Sequence, residues 1–234
     1  MAEQLDSLIS AQQRLLNDVS HELRSPLARM QAAIGLAQQQ PDKMPSTLER
    51  IDRESQRISD LIGELLLLSR LESNVKGETK TEIELGGLLA DIVEDARFEA
   101  EQKGVTLRYG GFEEEDIIVE TRCELLHRTL ENVLRNAVQH CPEGCEVGVV
   151  AEFDAANRRL DIAIADQGPG VDEADLKAIF QPFFRGGRQD RPDSIGLGLT
   201  IAQQAVKALG GTIDASNRPQ GGLLVKITVP FQIF

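Results

Sequence analysis

The spacing of apolar residues over the first 72 positions constrains this chain more than any other feature. Leu16, Val19, Leu23, Leu27, Met30, Ile34 and Ala37 step by three or four. That interval returns each side chain to one face of a 3.6-residue helix, so residues 1 to about 39 are expected to form one long helix. Leu5, Leu8, Leu15 and Val19 carry a roughly heptad pattern upstream. Pro41 and Pro45 bracket a turn, and Ser46 or Thr47 is expected to cap a second helix, with Glu49 in its first turn. There Leu48, Ile51, Ser55, Ile58, Ile62 and Leu65 keep a coiled-coil interval up to about Glu72. Two such helices make an antiparallel hairpin. One hairpin encloses no core, and Leu61, Leu66 and Leu68 still need cover. Pairing two hairpins into a four-helix bundle supplies it, so residues 1–72 are expected to form a homodimer.

Residues 73–80, Ser-Asn-Val-Lys-Gly-Glu-Thr-Lys, are polar and read as a linker. Beyond them the pattern becomes mixed α/β. Strands are expected at 82–85, 105–109, 116–120, 145–153, 159–165, 212–216 and 223–229. Helices are expected at 87–103, 121–139, 172–178 and 198–209. Leu160, Ile162 and Ile164 alternate with Asp161, Ala163 and Ala165, the period-two pattern of a half-buried strand. No internal repeat or low-complexity tract interrupts this order.

Composition removes several function classes. The net charge of −13 repels phosphate backbones, which argues against a nucleic-acid partner but leaves room for one nucleotide in a local pocket. Cys123, Cys141 and Cys145 are too few for a disulfide framework and are expected as free thiols in a reducing compartment. No His/Cys cluster joins Cys141 and Cys145 as metal ligands. No apolar run approaches the ~20 residues that span a bilayer, so the chain as given is expected to be soluble.

Five places carry chemistry. At ~100° per residue, His21 falls opposite the apolar stripe of the first helix, and Ser25 lies on the same outward side. Pro26 sits inside that helical pattern at a cost of ~3 kcal/mol. Rule-breaking of this kind concentrates at functional sites. Glu22 can accept from the Nδ1–H of His21, leaving Nε2 as a nucleophile. Asn132 and Asn136 project from one side of a helix, and their amide oxygens suit Mg²⁺ that is otherwise held by water and phosphate. Asp166-Gln167-Gly168-Pro169-Gly170 follows a strand and reads equally as a tight turn or as a turn whose Asp accepts from the exocyclic amine of adenine. Gly196-Leu197-Gly198-Leu199 opens a helix, offering N–H groups and a positive dipole end to phosphates. Before it, the Arg- and Gly-rich stretch 185–194 reads as a lid. Arg185, Arg188 and Arg191 read there either as phosphate contacts or as solvated surface charges.

Taken together these motifs resemble a known family. Ser20-His21-Glu22-Leu23-Arg24-Ser25-Pro26-Leu27 is similar to the phospho-acceptor box of sensor histidine kinases. Glu131-Asn132-Val133-Leu134-Arg135-Asn136-Ala137, with His140 following, resembles the family's Asn-rich box; Gln139 stands where a basic residue is frequent. Phe180-Gln181-Pro182-Phe183-Phe184-Arg185 resembles the aromatic box, and Gly221-Gly222 the last glycine element. The resemblance covers essentially the whole chain and points to envelope-stress sensor kinases of Gram-negative bacteria.

The resemblance implies an α plus α/β architecture. Residues 1–72 would be the dimerisation and phosphotransfer domain, with 1–16 the end of a signalling coiled coil. Residues 73–80 would be a linker, and 81–234 an α/β-sandwich ATP-binding domain of the histidine kinase and Hsp90-like type. It implies ATP and Mg²⁺ as cofactors. His21 is then phosphorylated with Glu22 as its base, and Ser25 supports dephosphorylation of the partner. Asn132 and Asn136 hold the metal, while Arg135, His140, Asp166, Gly168, Gly170, Arg185 and Gly196 to Leu199 bind nucleotide. The implied partner is an aspartate on a response-regulator receiver domain, and the implied setting is the cytoplasmic portion of an inner-membrane protein. Two other readings stand beside it: an ATPase of chaperone or mismatch-repair type, and a dimeric scaffold that binds nucleotide without phosphotransfer.

Overall fold

The computed structural model describes residues 2–72, 80–111, 117–184, 186 and 195–233. The chain divides into two compact units, one ending at Leu67 and one beginning at Leu68.

The first unit is built on two helices, α1 (Ala2–Gln39) and α2 (Met44–Glu72), joined by a 3₁₀ turn at Pro41–Lys43. α1 continues through Pro26. The helices are bridged by Arg29, whose Nε and second guanidinium nitrogen donate to the two carboxylate oxygens of Glu54 at 2.6 and 2.7 Å. Ser46 and Thr47 do not cap α2. The helix starts earlier, at Met44, and both hydroxyls donate back to the Lys43 carbonyl at 3.0 and 2.9 Å. The Pro41 turn already winds the chain, so no side-chain acceptor is needed where the cap was expected. The apolar stripe is split between two environments. Ala33 and Ala37 on α1 and Leu61 and Leu68 on α2 are buried, whereas Leu16, Leu27, Ile34, Leu48, Ile62 and Leu66 are exposed. The side chains of Leu5 and Leu8 lie outside the described residues.

The second unit is a two-layer α/β structure. A five-stranded mixed sheet runs in the order β2 (Thr106–Gly110), β4 (Glu146–Asp154), β5 (Arg159–Ala165), β7 (Leu223–Pro230), β6 (Thr212–Asn217). β2 and β4 are parallel and the other neighbours antiparallel. A small sheet joins β1 (Thr81–Glu84), β3 (Ile118–Thr121) and β8 (Gln232–Ile233). Three helices complete the unit: α3 (Leu85–Gln102), α4 (Cys123–His140) and α5 (Gly198–Ala208).

The core follows from strand and helix periods. Val147, Val149 and Ala151 of β4, Leu160, Ile162 and Ile164 of β5, and Val225, Ile227 and Val229 of β7 put every second side chain on one buried face. Leu126, Leu130, Val133, Leu134, Ala137 and Val138 of α4 meet them in one cluster with Leu89, Ile92 and Val93 of α3. Ends are closed by side chains. Glu84 accepts from the Gly86 and Gly87 amides at 2.8 and 2.6 Å to cap α3, and Lys103 Nζ donates to the Val138 and Gln139 carbonyls at the end of α4.

Two further expectations change. Residues 172–178 are not a helix but lie in two 3₁₀ turns, Glu173–Asp175 and Ala178–Phe180. Between Asp172 and Phe180 only Leu176, Ile179 and Phe180 pack against the core, too few contacts to offset nucleation of a regular helix. The cysteines are not all free: Cys141 and Cys145 are joined in a disulfide with Cα atoms 6.0 Å apart, and Cys123 is the free thiol. The five-residue turn from the end of α4 into β4 brings the pair within bonding range.

Candidate functional site

On α1, His21, Arg24 and Ser25 are exposed, and Glu22 is half-buried. Ser20 and Ser25 use their hydroxyls differently. Ser20 Oγ donates to the Leu16 carbonyl at 2.8 Å, back into its own helix. Ser25 Oγ instead accepts from Arg29 at 2.5 Å, while Glu54 holds the rest of that guanidinium. The Ser25 oxygen is thus fixed one turn from His21 with its own O–H still available to donate. The Arg29 guanidinium beside Glu54 also holds that carboxyl below its usual range, chiefly by hydrogen bonding to the ionised form.

In the second unit the turn after β5 is the centre of the site. Asp166 is buried, 4% exposed. Its Oδ1 accepts from the Gly168 amide at 2.7 Å and the Leu223 amide at 3.1 Å. Both bonds fall on one oxygen, so Oδ2 is the acceptor left for a ligand. Glycines make this possible. A Cβ on Gly168 would lie 2.7 Å from the His140 carbonyl oxygen, and one on Gly222 would lie 2.7 Å from the Asp166 carbonyl carbon. Gly170 has φ +70° and leaves room for the Asn217 amide, 2.7 Å from where a Cβ would stand. Asp166, Gly168, Gly170 and the backbone of His140, four of the expected residues, are therefore brought together.

A second group meets where α4 packs on the start of α5. Asn132 is buried, 5% exposed. Its Nδ2 donates to the Arg128 carbonyl at 2.9 Å, and its Oδ1 accepts from Arg135 at 2.7 Å. A Cβ on Gly198 would stand 3.1 Å from that Oδ1. Asn132, Arg135 and Gly198 are thus adjacent, and half-buried Asn136 follows one turn later on α4. Among the described residues no group of three or more His, Cys, Asp or Glu side chains could hold a metal. A divalent ion would need amide oxygens completed by phosphate and water; Asn132 Oδ1, beside the first turn of α5, is an oxygen of that type, and the Arg135 guanidinium it now accepts from would have to move aside.

The segment before α5 is tied to the aromatic box. Phe183, at φ +60°, donates its amide to the Gly196 carbonyl at 2.8 Å, and Gly196 itself has φ +81°. Thr200 Oγ1 donates to the Phe180 carbonyl at 3.0 Å. Leu197 is fully buried and Leu199 half-buried, so Gly196 and Gly198 supply the accessible backbone of that tetrad. Arg185, Arg188 and Arg191 lie outside the described residues.

Sequence reasoning missed four residues. Arg29 could have been found, because it falls one turn beyond Ser25 on the outward side. Glu54, Asn217 and Arg218 are joined to the site only by tertiary contacts. Asn217 makes two hydrogen bonds with Val171, and Arg218 donates to the Asp166 carbonyl.

Comparisons with known proteins agree with this geometry. Residues 11–74 match the His Kinase A (phospho-acceptor) domain, and residues 122–233 match the histidine kinase-, DNA gyrase B-, and HSP90-like ATPase. Over 232 residues the chain is 34% identical to the sensor histidine kinase CpxA of Escherichia coli K12, covering 98% of this chain and 49% of that protein. It is 30% identical over 233 residues to the sensor protein kinase PmrB of Pseudomonas aeruginosa, covering 98% and 48%. The chain spans about half the length of the curated relatives it matches. Among solved structures, the Acinetobacter baumannii histidine kinase AdeS superposes with a TM-score of 0.71 at 20% identity, covering 91% of this chain and 98% of that one. Histidine kinase ThkA in complex with response regulator protein TrrA superposes with a TM-score of 0.75 at 20% identity, covering 97% and 64%. A helical phospho-acceptor domain that presents an exposed histidine, followed by an ATPase domain with a buried aspartate at its glycine turn, makes this chain a member of the sensor histidine kinase family.

Proposed function

We propose that this chain is the catalytic part of a sensor histidine kinase, transferring the γ-phosphoryl group of ATP to His21 and then to a receiver-domain aspartate. The observation that carries the reading is the pairing on one chain of an exposed His21 on α1 with a buried Asp166 after β5 that keeps one carboxylate oxygen for a ligand. Asp166 Oδ2 accepts from the exocyclic amine of adenine. The α5 N-terminus at Gly196–Leu199 and Arg135 face the phosphates. Asn132 and Asn136 would hold Mg²⁺, which would supply charge neutralisation along the phosphate chain.

His21 Nε2 attacks the γ-phosphorus as the bond to the bridging oxygen of ADP breaks. Glu22 orients the ring and accepts the Nδ1 proton. In the second step the P–N bond breaks as a receiver carboxylate forms the new P–O bond, and the proton returns to the ring. The neighbour ThkA is seen in complex with a response regulator. A receiver docked beside His21 places Ser25 at the same phosphoryl group, where its hydroxyl supports dephosphorylation of the regulator.

The division of labour follows the two halves: dimerisation and phosphotransfer in 1–72, a linker at 73–80 and ATP binding in 81–234. Exposed Leu16, Leu27, Ile34, Leu48, Ile62 and Leu66 form apolar surface on both hairpin helices, and a second hairpin is the economical cover. The kinase acts on the cytoplasmic side of a bacterial membrane, where ATP is available. No helix among the described residues is long and apolar enough to cross that membrane.

The test is autophosphorylation with radiolabelled ATP and Mg²⁺ on the wild type and on His21→Ala. Label that is acid-labile, base-stable and absent from His21→Ala is expected. Label that survives in His21→Ala, or none at all in the wild type, returns the weight to a nucleotide-binding scaffold or another ATPase.

A further inference from the structure

The hairpin that joins β6 to β7 does more than turn the chain. It is closed on itself: Arg218 N–H donates to the Gly222 carbonyl at 2.9 Å, and Gly221 N–H donates to the Arg218 carbonyl at 3.0 Å. Two consecutive residues of this closed hairpin grip opposite ends of the glycine turn. Asn217 Oδ1 accepts from the Val171 amide at 2.9 Å, and its Nδ2 donates to the Val171 carbonyl at 2.6 Å. Arg218 donates to the Asp166 carbonyl at 2.6 Å. The backbone path between these ends is tight, because Gly168 abuts His140 and Gly170 abuts Asn217 itself.

We infer that Asn217 and Arg218 are positioning residues for recognition of the nucleotide base. They hold both ends of the 166–171 turn and so set the direction in which Asp166 presents its remaining carboxylate oxygen. The inference rests on the reading that Asp166 meets the exocyclic amine of adenine. A buried carboxylate aimed at that amine discriminates against guanine, whose oxygen at the equivalent position would leave two acceptors facing each other without a proton. Discrimination of this kind depends on direction. A turn free to shift by a fraction of an ångström leaves the proposed phosphate contacts at the α5 N-terminus in place but loses its preference between bases. Asn217 is exposed and outside the hydrophobic core, so its bonds contribute little to folding beyond the modest net value of a surface hydrogen bond.

The experiment measures affinities of the whole chain for MgADP and, by displacement, MgGDP. The proteins are wild type, Asn217→Ala, Arg218→Met, the two combined, and Asp166→Asn. The combined variant is expected to bind MgADP ~10–100-fold more weakly, the loss of one charge-assisted hydrogen bond from the adenine amine to Asp166. MgGDP affinity should change less than ~2-fold, so the ADP preference collapses towards that of Asp166→Asn. If both nucleotides weaken in parallel, the hairpin is only structural and the inference fails. It fails equally if the combined variant keeps the wild-type preference while Asp166→Asn loses it; the reading of Asp166 then stands. If Asp166→Asn itself keeps the preference, or wild type binds no MgADP, the reading of the site falls and takes the inference with it. The single variants guard against misfolding of the double, since each should move the same ratio part of the way.

Discussion

Gly221 and Gly222 offer a controlled test of how closely the last glycine element serves Asp166. Both have strongly positive φ, +91° and +94°, so alanine at either position costs ~1–3 kcal/mol of backbone strain. They differ in what a Cβ would meet. At Gly221 the nearest atom is 3.9 Å away, an ordinary contact. At Gly222 the Cβ would lie 2.7 Å from the Asp166 carbonyl carbon, 3.0 Å from its Oδ1 and closer still to its carbonyl oxygen. Backbone cannot yield as a flexible side chain does, so the Asp166 peptide must retreat on the order of 1 Å. Misplacement by that distance costs roughly 100-fold at a directional site, or about 2.7 kcal/mol. The backbone strain is common to both variants and cancels in the comparison. Titration calorimetry with MgADP, at a temperature where both variants remain folded, should therefore show Gly222→Ala binding ~100-fold more weakly than Gly221→Ala, and Gly222→Ala should also melt lower because only its Cβ meets backbone. Equal affinities would refute the argument that Gly222 exists to let the Asp166 peptide approach.

Three further outcomes follow from contacts elsewhere. Glu54→Gln or Arg29→Met should lower hairpin stability by about 1 kcal/mol at neutral pH, the upper range for a partly exposed but bidentate pair. Because the Glu54 carboxyl is depressed in the folded state, that contribution is complete above the usual carboxylate range and lost as pH falls through the lower folded value, so denaturant curves of Glu54→Gln and wild type should converge in acid. The wild type is expected to scatter light as a dimer and Ile62→Glu with Leu66→Glu as a monomer, since each of these half-exposed apolar side chains is worth on the order of 1 kcal/mol once covered. Unreduced, denatured chain should titrate one thiol, from Cys123, and reduced chain three; three thiols without reduction would remove the Cys141–Cys145 bond.

The regular elements were legible because their periods are local. α1, α2, β4, β5, β7 and α5 end within two or three residues of where spacing alone puts them. Errors arose where a tertiary contact decides. β8 has only two residues and exists by pairing with β3, far away in sequence. The stripe Leu16, Leu27, Ile34 was read correctly as one apolar face, yet periodicity cannot say what covers it, and these residues are exposed while Ala33 and Ala37 are buried. The same limit hid Asn217 and Arg218. Their partners stand 46 and 52 residues away, and an Asn-Arg pair at a strand end reads on its own as a polar turn.

What the sequence did expose, the glycine and asparagine motifs, has one physical feature in common: each leaves an oxygen aimed by bonds that side-chain exchange cannot imitate. Asp166 is oriented by two backbone amides on Oδ1, and Asn132 by a donor bond to the Arg128 carbonyl and an acceptor bond from Arg135. At Asp166 the orienting partners are already engaged before a ligand arrives, so binding costs little reorganisation. Substitution of Asp166 by Glu keeps the charge but extends the carboxylate by a methylene, which breaks the register with the Gly168 and Leu223 amides. Asn132→Asp keeps the shape and the bond from Arg135, but it replaces the donor to Arg128 with an acceptor facing an acceptor. The residue types at these two positions are therefore fixed by hydrogen-bond direction rather than by charge or size, which is why short motifs built on them are readable in a single sequence.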